Sequence, residues 1–83
     1  MNPTANPDST DPARWEVANA SHTPAVSYYY VVHSISNEAV RVIVASRKKK
    51  RIYTFNEAGR EKEEVPGEMR REIDKALVRY LTS

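Results

Sequence analysis

Five adjacent cationic side chains lie near the middle of the sequence: Arg47, Lys48, Lys49, Lys50 and Arg51. Cations of this kind bind phosphate oxygens, and a protein that neutralises several phosphates releases counterions and binds in a salt-dependent way. Three interpretations fit the run: the solvated tip of a β-hairpin, a contact for RNA or DNA, or a nuclear import signal. The first two are favoured, because a short basic run is unspecific as a targeting motif.

The basic run also dominates the charge distribution. The chain has a net charge of only +2 over 83 residues, but residues 26–55 hold six cations against one anion, Glu38. Farther along the chain, Glu61, Glu63 and Glu64 make a short stretch acidic. A basic surface would therefore be local to the run and its immediate neighbours.

The other reactive side chains are poorly arranged for catalysis or metal binding. The chain has no cysteine and only two glycines, which removes a cysteine-based zinc site and a glycine-rich phosphate loop. His22 and His33 are separated by a predicted turn, and the nearby glutamates have no nucleophile or pocket beside them. We therefore predict a non-catalytic protein with no cofactor, no metal and no small-molecule substrate.

Strand-forming composition identifies the elements that would hold the basic run. Residues 25–34 and 39–46 are rich in β-branched and aromatic side chains, and residues 35–38 between them predict a turn and an antiparallel hairpin. Residues 51–55 predict a third strand, so the basic run would connect two strands. Residues 60–65 predict a short, charged edge strand.

The two ends of the chain differ in character. Residues 1–13 contain three of the five prolines among polar residues, which predicts a disordered tail. The segment that starts at Trp15 suits a strand slightly better than a short helix, with Trp15 as a core anchor in either case. After Pro66, apolar residues recur at three- and four-residue spacing and predict an amphipathic helix. This stripe consists of Met69, Ile73, Ala76, Leu77, Tyr80 and Leu81.

Together these elements predict an α+β fold: an antiparallel meander of three to four strands with one C-terminal amphipathic helix packed on one face. Residues 14–83 would form a single small domain after the tail. A domain of this size buries only about 60% of the surface that its unfolded chain exposes, so its stability margin is thin. Self-association is a common way to compensate.

One helix can cover only one face of such a sheet, and strand residues alternate between the faces. The wholly apolar sets are expected under the helix: Val26, Tyr28, Tyr30, Val32, Val40, Val42 and Val44. The mixed sets are expected to face outward: Tyr29, Val31, His33, Arg41 and Ile43. An outward face this apolar predicts a partner site, unless the segment around Trp15 folds over it.

Two classes of partner fit these features. A protein chain, including a second copy of this one, is narrowly favoured for the outer face of the sheet. The alternative is RNA or DNA, with Tyr29 stacked on a base and Arg41 and the basic run on phosphates. The candidate binding residues are Tyr29, His33, Arg41, Arg47, Lys48, Lys49, Lys50 and Arg51.

The sequence also predicts a cytoplasmic setting with no membrane partner. The absence of cysteine favours a reducing compartment. No apolar run approaches the roughly 20 residues that a membrane span requires. The first twelve residues lack the basic start and apolar stretch of a signal peptide.

Overall fold

A computed structural model describes residues 14–48 and 50–83. The predicted disordered tail, residues 1–13, lies outside the described residues, and so does Lys49. Four antiparallel strands form one sheet in the order β1-β2-β3-β4, and a helix follows the last strand. The elements are β1 (Trp15–His22), β2 (Val26–His33), β3 (Ala39–Ala45), β4 (Arg51–Phe55) and α1 (Gly67–Thr82). The predicted α+β meander with one C-terminal helix is confirmed.

Backbone hydrogen bonds and one residue with a positive φ shape the connections between the strands. Between β1 and β2, the Thr23 backbone N–H donates to the Val26 carbonyl at 2.8 Å. Between β2 and β3, Asn37 has a φ of 61°, in the left-handed region that asparagine tolerates better than most residues. Between β3 and β4, the Ala45 N–H donates to the Lys50 carbonyl at 3.0 Å. The described residues Arg47, Lys48 and Lys50 therefore lie in a hairpin connection, as predicted, whereas Arg51 begins β4.

The segment that starts at Trp15 is a strand, which confirms the preferred prediction. It pairs antiparallel with β2, from Trp15 opposite His33 to His22 opposite Ser27. The register shifts between Val17 and Asn19, where a bulge interrupts the ladder. Trp15 is buried and belongs to the core. Because this segment is an edge strand of the sheet, it does not fold over the outer face.

The hydrophobic core lies between one face of the sheet and α1. The helix supplies Ile73, Ala76 and Leu77, whose three- and four-residue spacing places them on one side. The sheet and the segment before the helix supply Trp15, Tyr29, Val31, Val40, Val42, Phe55 and Val65. The predicted apolar stripe continues too far, because Tyr80 and Leu81 at the end of α1 are 43% and 58% exposed.

Residues 60–64 form turns, and the prediction of an edge strand there is wrong. Arg60 organises this segment: its guanidinium contacts Glu38, Glu57 and Glu63 at 3.1 to 3.3 Å. The same group lies 3.9 Å from the centre of the Phe55 ring. Hydrogen bonding to Glu63 is the largest cause that raises the pKa of Arg60. These local contacts hold the chain in a compact turn before α1.

The assignment of faces was wrong for β2. Tyr29 pairs with Val42, and Val31 pairs with Val40, so the Tyr29 side of β2 faces α1. Tyr29 is only 6% exposed and Val31 is fully buried. Alternation within each strand was predicted correctly, but the match between the two strands depends on how the chain turns between them. A shift of one residue in that match moves every side chain of a strand to the other face.

Candidate functional site

The face of the sheet that α1 leaves open carries a patch of large side chains. We call Tyr28, Tyr30, Arg41, Ile43 and Ile52 the outer patch. Tyr28 lies opposite Ile43, which lies opposite Ile52, and Tyr30 lies opposite Arg41, so the patch forms two rows across the strands. Tyr28, Tyr30 and Ile52 are 39%, 36% and 51% exposed. The open face is therefore aromatic and aliphatic, with one cation inside it.

The bulged strand β1 borders the outer patch with small polar side chains. After the register shift, Asn19 lies opposite Tyr30 and Ser21 lies opposite Tyr28. The Asn19 Oδ1 accepts a hydrogen bond from the Ala20 backbone N–H at 2.9 Å, which leaves the N–H groups of its amide as donors. A shallow depression of about 300 Å³ lies along this border. Its lining is Asn19, Ala20, Ser21, Tyr28, Tyr29, Tyr30, Arg41 and Ile43.

Arg41 lies on the outer face, as predicted, and one contact orients its guanidinium. Its Nη2 donates to the Asn56 Oδ1 at 2.7 Å. A guanidinium has five N–H donors, so this hydrogen bond fixes the group and leaves donors for a ligand. Arg41 is therefore a positioned cation beside the Tyr30 ring.

Three described cations extend the positive charge beyond the outer patch. We call Arg47, Lys48 and Lys50 the basic loop; all three are exposed. The loop joins β3 to β4, the strands that carry Ile43 and Ile52. Its Ser46 N–H donates to the Ala25 carbonyl at 2.9 Å, which holds the loop beside the start of β2. The basic loop and the Tyr28 row therefore lie at the same end of the sheet.

Arg51, predicted as part of the cationic grip, is the first residue of β4 and lies on the covered face opposite Val44. Its Nη1 donates to the Asp74 Oδ1 at 2.7 Å, and the Tyr53 hydroxyl donates to the same oxygen. Burial alone would lower the pKa of Arg51, but hydrogen bonds with Tyr53 and Asp74 outweigh it and the pKa is raised. This residue connects the sheet to α1 and does not extend the basic loop.

His33 and Tyr29 also face the covered side of the sheet, contrary to the predicted placement. The His33 Nδ1 lies 3.3 and 3.2 Å from the backbone nitrogens of Ile35 and Ser36 and accepts from them. Its ring meets the edge of Trp15 with the centroids 5.2 Å apart. Tyr29 makes edge-on contact with the Tyr80 ring at 6.2 Å. Both residues stabilise the core and the turn beside it.

Acidic side chains are largely kept away from the outer patch. Seven of the nine Asp and Glu residues in the described part of the chain lie on α1 or in residues 57–64. On the outer face, Glu16 lies opposite Val32, toward the end of β2 remote from the basic loop. Arg14 contacts it at 3.3 Å. The end of the outer face near the basic loop is therefore the more favourable place for an anionic partner.

Sequence reasoning missed three residues of the outer patch, Tyr28, Tyr30 and Ile52. The five residues that connect β2 to β3 carried the missing signal, because the length of a hairpin connection fixes which residues oppose each other. With Tyr28 opposite Ile43, the next strand brings Ile52 into the same row. Of the outer patch, only Arg41 and Ile43 were placed on the correct face from the sequence.

Comparison with known protein families, curated proteins and solved structures finds no match for the chain. Within residues 14–48 and 50–83, no cluster of three or more His, Asp or Glu side chains could hold a metal ion. The helix in the described part of the chain is too short and too polar to span a membrane.

Proposed function

We propose that this chain is a non-catalytic binding module that contacts nucleic acid through the outer patch and the basic loop. The observation that carries the proposal is a pair of exposed tyrosines on one face of the sheet, with Tyr30 opposite Arg41 and Tyr28 in the row nearer the basic loop. Exposed aromatic rings stack on bases, and adjacent cations bind the backbone phosphates. A cytoplasmic setting remains a prediction from the composition.

The arrangement of charge favours nucleic acid over a protein partner. From the sequence, a protein partner is narrowly favoured for this face, on the expectation that the face carries a single tyrosine. The outer face instead carries two tyrosines, and most described anions lie on α1 or in residues 57–64. An anionic ligand with planar groups satisfies both the rings and the cations, whereas an apolar protein surface would leave Arg41 without a counterion.

A salt titration of binding to short RNA and DNA strands tests this proposal. We expect the logarithm of the affinity to fall with the logarithm of salt concentration, as it does when phosphate contacts release counterions. Replacing Arg47, Lys48 and Lys50 with Gln should weaken binding at low salt. It should also reduce the slope by up to about 2, since each contact with a single strand contributes about 0.7.

A matched variant separates a specific loop contact from net charge. Replacing Lys62, Arg71 and Lys75 with Gln removes the same three charges from residues outside the sheet, all of them exposed. We expect this control to bind nearly as tightly as the wild type, with a nearly unchanged slope. Equal effects of the two triple variants would contradict a specific role for the basic loop, and no binding at low salt would remove the proposal.

Self-association through the same face is the second candidate function. It is favoured by the row Tyr28, Ile43 and Ile52, which has no charge and crosses three strands. Apolar surface of this kind can be buried between two copies related by a two-fold axis. Sedimentation of the wild type beside Ile52→Glu tests it: a dimer that the glutamate dissociates supports this function, and a wild-type monomer at high concentration removes it.

A further inference from the structure

We propose that the ligand of the outer patch is single-stranded RNA, with two consecutive unpaired bases stacked on Tyr28 and Tyr30. This inference rests on the proposed function and specifies its ligand. It commits the open face of the sheet to one occupant on the basis of ring spacing, charge and the polar residues that border the rings. Duplex RNA and single-stranded DNA are outcomes that the experiment below distinguishes, and the sedimentation of Ile52→Glu beside the wild type tests a second copy of the chain.

The spacing of the two rings favours unstacked bases. Tyr28 and Tyr30 are two residues apart on β2, and such positions are separated by about 6.7 Å along a strand. Stacked bases follow each other at about 3.4 Å, so two neighbouring bases that remain stacked cannot each lie on one ring. A strand that places one base on each tyrosine must open the stack between them. A single strand can do this at low cost, whereas a duplex must also break base pairs.

The surroundings of the rings favour RNA. Each ring has a short polar neighbour on β1, Asn19 beside Tyr30 and Ser21 beside Tyr28. These side chains can donate to or accept from a ribose 2′-hydroxyl, the group that distinguishes RNA from DNA. On the other side of Tyr30, the Arg41 guanidinium is fixed by Asn56 and can contact a phosphate. The polar side chains of β1 can therefore contact the ribose groups of an RNA strand that lies on the two rings, and Arg41 of β3 can contact its phosphates.

The position of the basic loop indicates the direction in which the RNA strand would cross the outer patch. It lies at the Tyr28 end of the outer patch, where Arg47, Lys48 and Lys50 are exposed. A strand that crosses the two rings can continue toward this loop and place further phosphates beside its cations. Duplex RNA presents phosphates and a shallow groove but keeps its bases paired, so it could use the loop but not the rings.

The test measures fluorescence anisotropy of a labelled mixed-sequence RNA 10-mer, with the DNA strand and the RNA duplex of the same sequence as comparison ligands. Tyr28→Leu and Tyr30→Leu keep an apolar side chain and remove the stacking ring. We expect each to weaken binding of the single RNA strand about 5- to 150-fold. Tyr28→Phe and Tyr30→Phe should recover most of that loss, because the ring is restored.

Tyr80→Leu is the matched control, since Tyr80 is an exposed tyrosine on α1, away from the outer face. We expect it to change the affinity by less than about twofold, within the range of a surface substitution. Trp15 is buried on the covered face, so its fluorescence reports whether each variant remains folded without reporting on the rings. Every variant is compared only after this signal shows a cooperative unfolding transition.

The possible results separate this inference from the proposed function. Tighter binding of the single RNA strand than of DNA or duplex, with losses in both leucine variants, supports it. Salt-dependent binding that ignores the tyrosines, or that is equal for the strand and the duplex, overturns this inference and leaves nucleic-acid binding in place. Equal binding of RNA and DNA strands, with losses in the leucine variants, overturns the preference for RNA. No binding of any strand at low salt overturns both proposals.

Discussion

Tyr53 illustrates how a single residue of the sheet is tied to the helix. Its hydroxyl donates to Asp74, which also accepts from Arg51. Burial raises the pKa of Tyr53 above its ordinary value, and the hydrogen bond to Asp74 adds to this rise. The neutral phenol is therefore favoured in the folded chain, because a phenolate would lie beside the Asp74 carboxylate.

We expect the contribution of Tyr53 to stability to depend on pH. A raised pKa in the folded state means that this contribution is complete below the unfolded pKa of about 10 and is lost as the pH rises through the folded value. Tyr53→Phe should lower the free energy of unfolding by about 1 kcal/mol at pH 8, the typical value of a hydrogen bond. The difference between the variant and the wild type should shrink above about pH 10, as measured by urea unfolding. A difference that stays constant to pH 11 would contradict the role of the hydroxyl.

Asn37 carries the positive φ of the turn between β2 and β3. Its φ of 61° costs most side chains about 1–2 kcal/mol, whereas glycine has no such penalty. Asn37→Ala should therefore destabilise the fold by about that amount, while Asn37→Gly should be close to neutral. Thermal unfolding of the two variants beside the wild type checks this. Equal destabilisation by both would show that the asparagine side chain, rather than the backbone conformation, stabilises the turn.

Among the elements, α1 is the only helix of the described residues, and it closes the core from one side. Ile73 and Leu77 are essentially inaccessible, whereas Val78 on the same helix is exposed. Truncation of a fully buried side chain removes apolar contact and leaves a cavity that the surroundings refill only in part. The burial of α1 therefore sets much of the stability of so small a domain.

Leu77→Ala should lower the free energy of unfolding by about 2–5 kcal/mol. Val78→Ala provides the matched comparison, because the same helix loses a side chain that is mostly in water. It should change stability by no more than about 0.5 kcal/mol in either direction. Urea unfolding followed by Trp15 fluorescence measures both variants. Similar losses for the two would mean that Val78 is buried in solution, as it would be in a dimer formed through α1.

A bulge in strand β1 changes which face of the sheet its side chains occupy. The register shift between Val17 and Asn19 keeps Trp15 and Val17 in contact with the core. It also places Asn19 and Ser21 beside the tyrosines of the outer patch. The Arg79 Nη2 donates to the Trp15 carbonyl at 2.9 Å and ties this edge to the end of α1. Bulges are common at sheet edges, where they change the direction in which a side chain points.

Across the described part of the molecule, anionic side chains are distributed unevenly between the two sides of the sheet. The side of α1 and residues 57–64 holds most of the described anions, paired with cations such as Arg60 and Lys75. The outer face holds Tyr28, Tyr30 and Arg41. The outer patch does not belong to the core, so its side chains can be replaced to test the proposed binding without unfolding the domain.

The proposed RNA ligand binds the folded sheet and not the unfolded chain, so it should stabilise the fold. A ligand present at 100 times its dissociation constant adds about 2.7 kcal/mol to the free energy of unfolding. For a domain of this size, we expect a rise in Tm of about 10 °C or more with the RNA strand at low salt. The rise should disappear at high salt and in the Arg47, Lys48 and Lys50 triple Gln variant. An undiminished rise in that variant would contradict binding at the basic loop.

The positions of most secondary-structure elements follow from the sequence alone. The β-branched and aromatic runs, the apolar stripe of the helix and the polar connections are local properties, and the strands β2, β3 and β4 and the helix α1 lie close to their predicted places. The cationic hairpin loop and the outward position of Arg41 and Ile43 follow from the same local pattern. The exception is residues 60–64, where the contacts of Arg60 with distant Glu38 and the Phe55 ring replace the expected strand with turns.

The local pattern did not settle which face of β2 is buried, because that depends on tertiary packing. Both sets of β2 residues are apolar enough to be buried, so composition could not choose between the Tyr29 set and the Tyr28 and Tyr30 set. The hairpin register and the closure of α1 over Trp15 and Val31 made that choice. The same choice left two tyrosines in water. The pairing of Arg51 with Val44 separately placed Arg51 on the helix side. Local geometry makes side chains alternate between the two faces of a strand. Which of the two sets faces the core is decided by what the strand packs against.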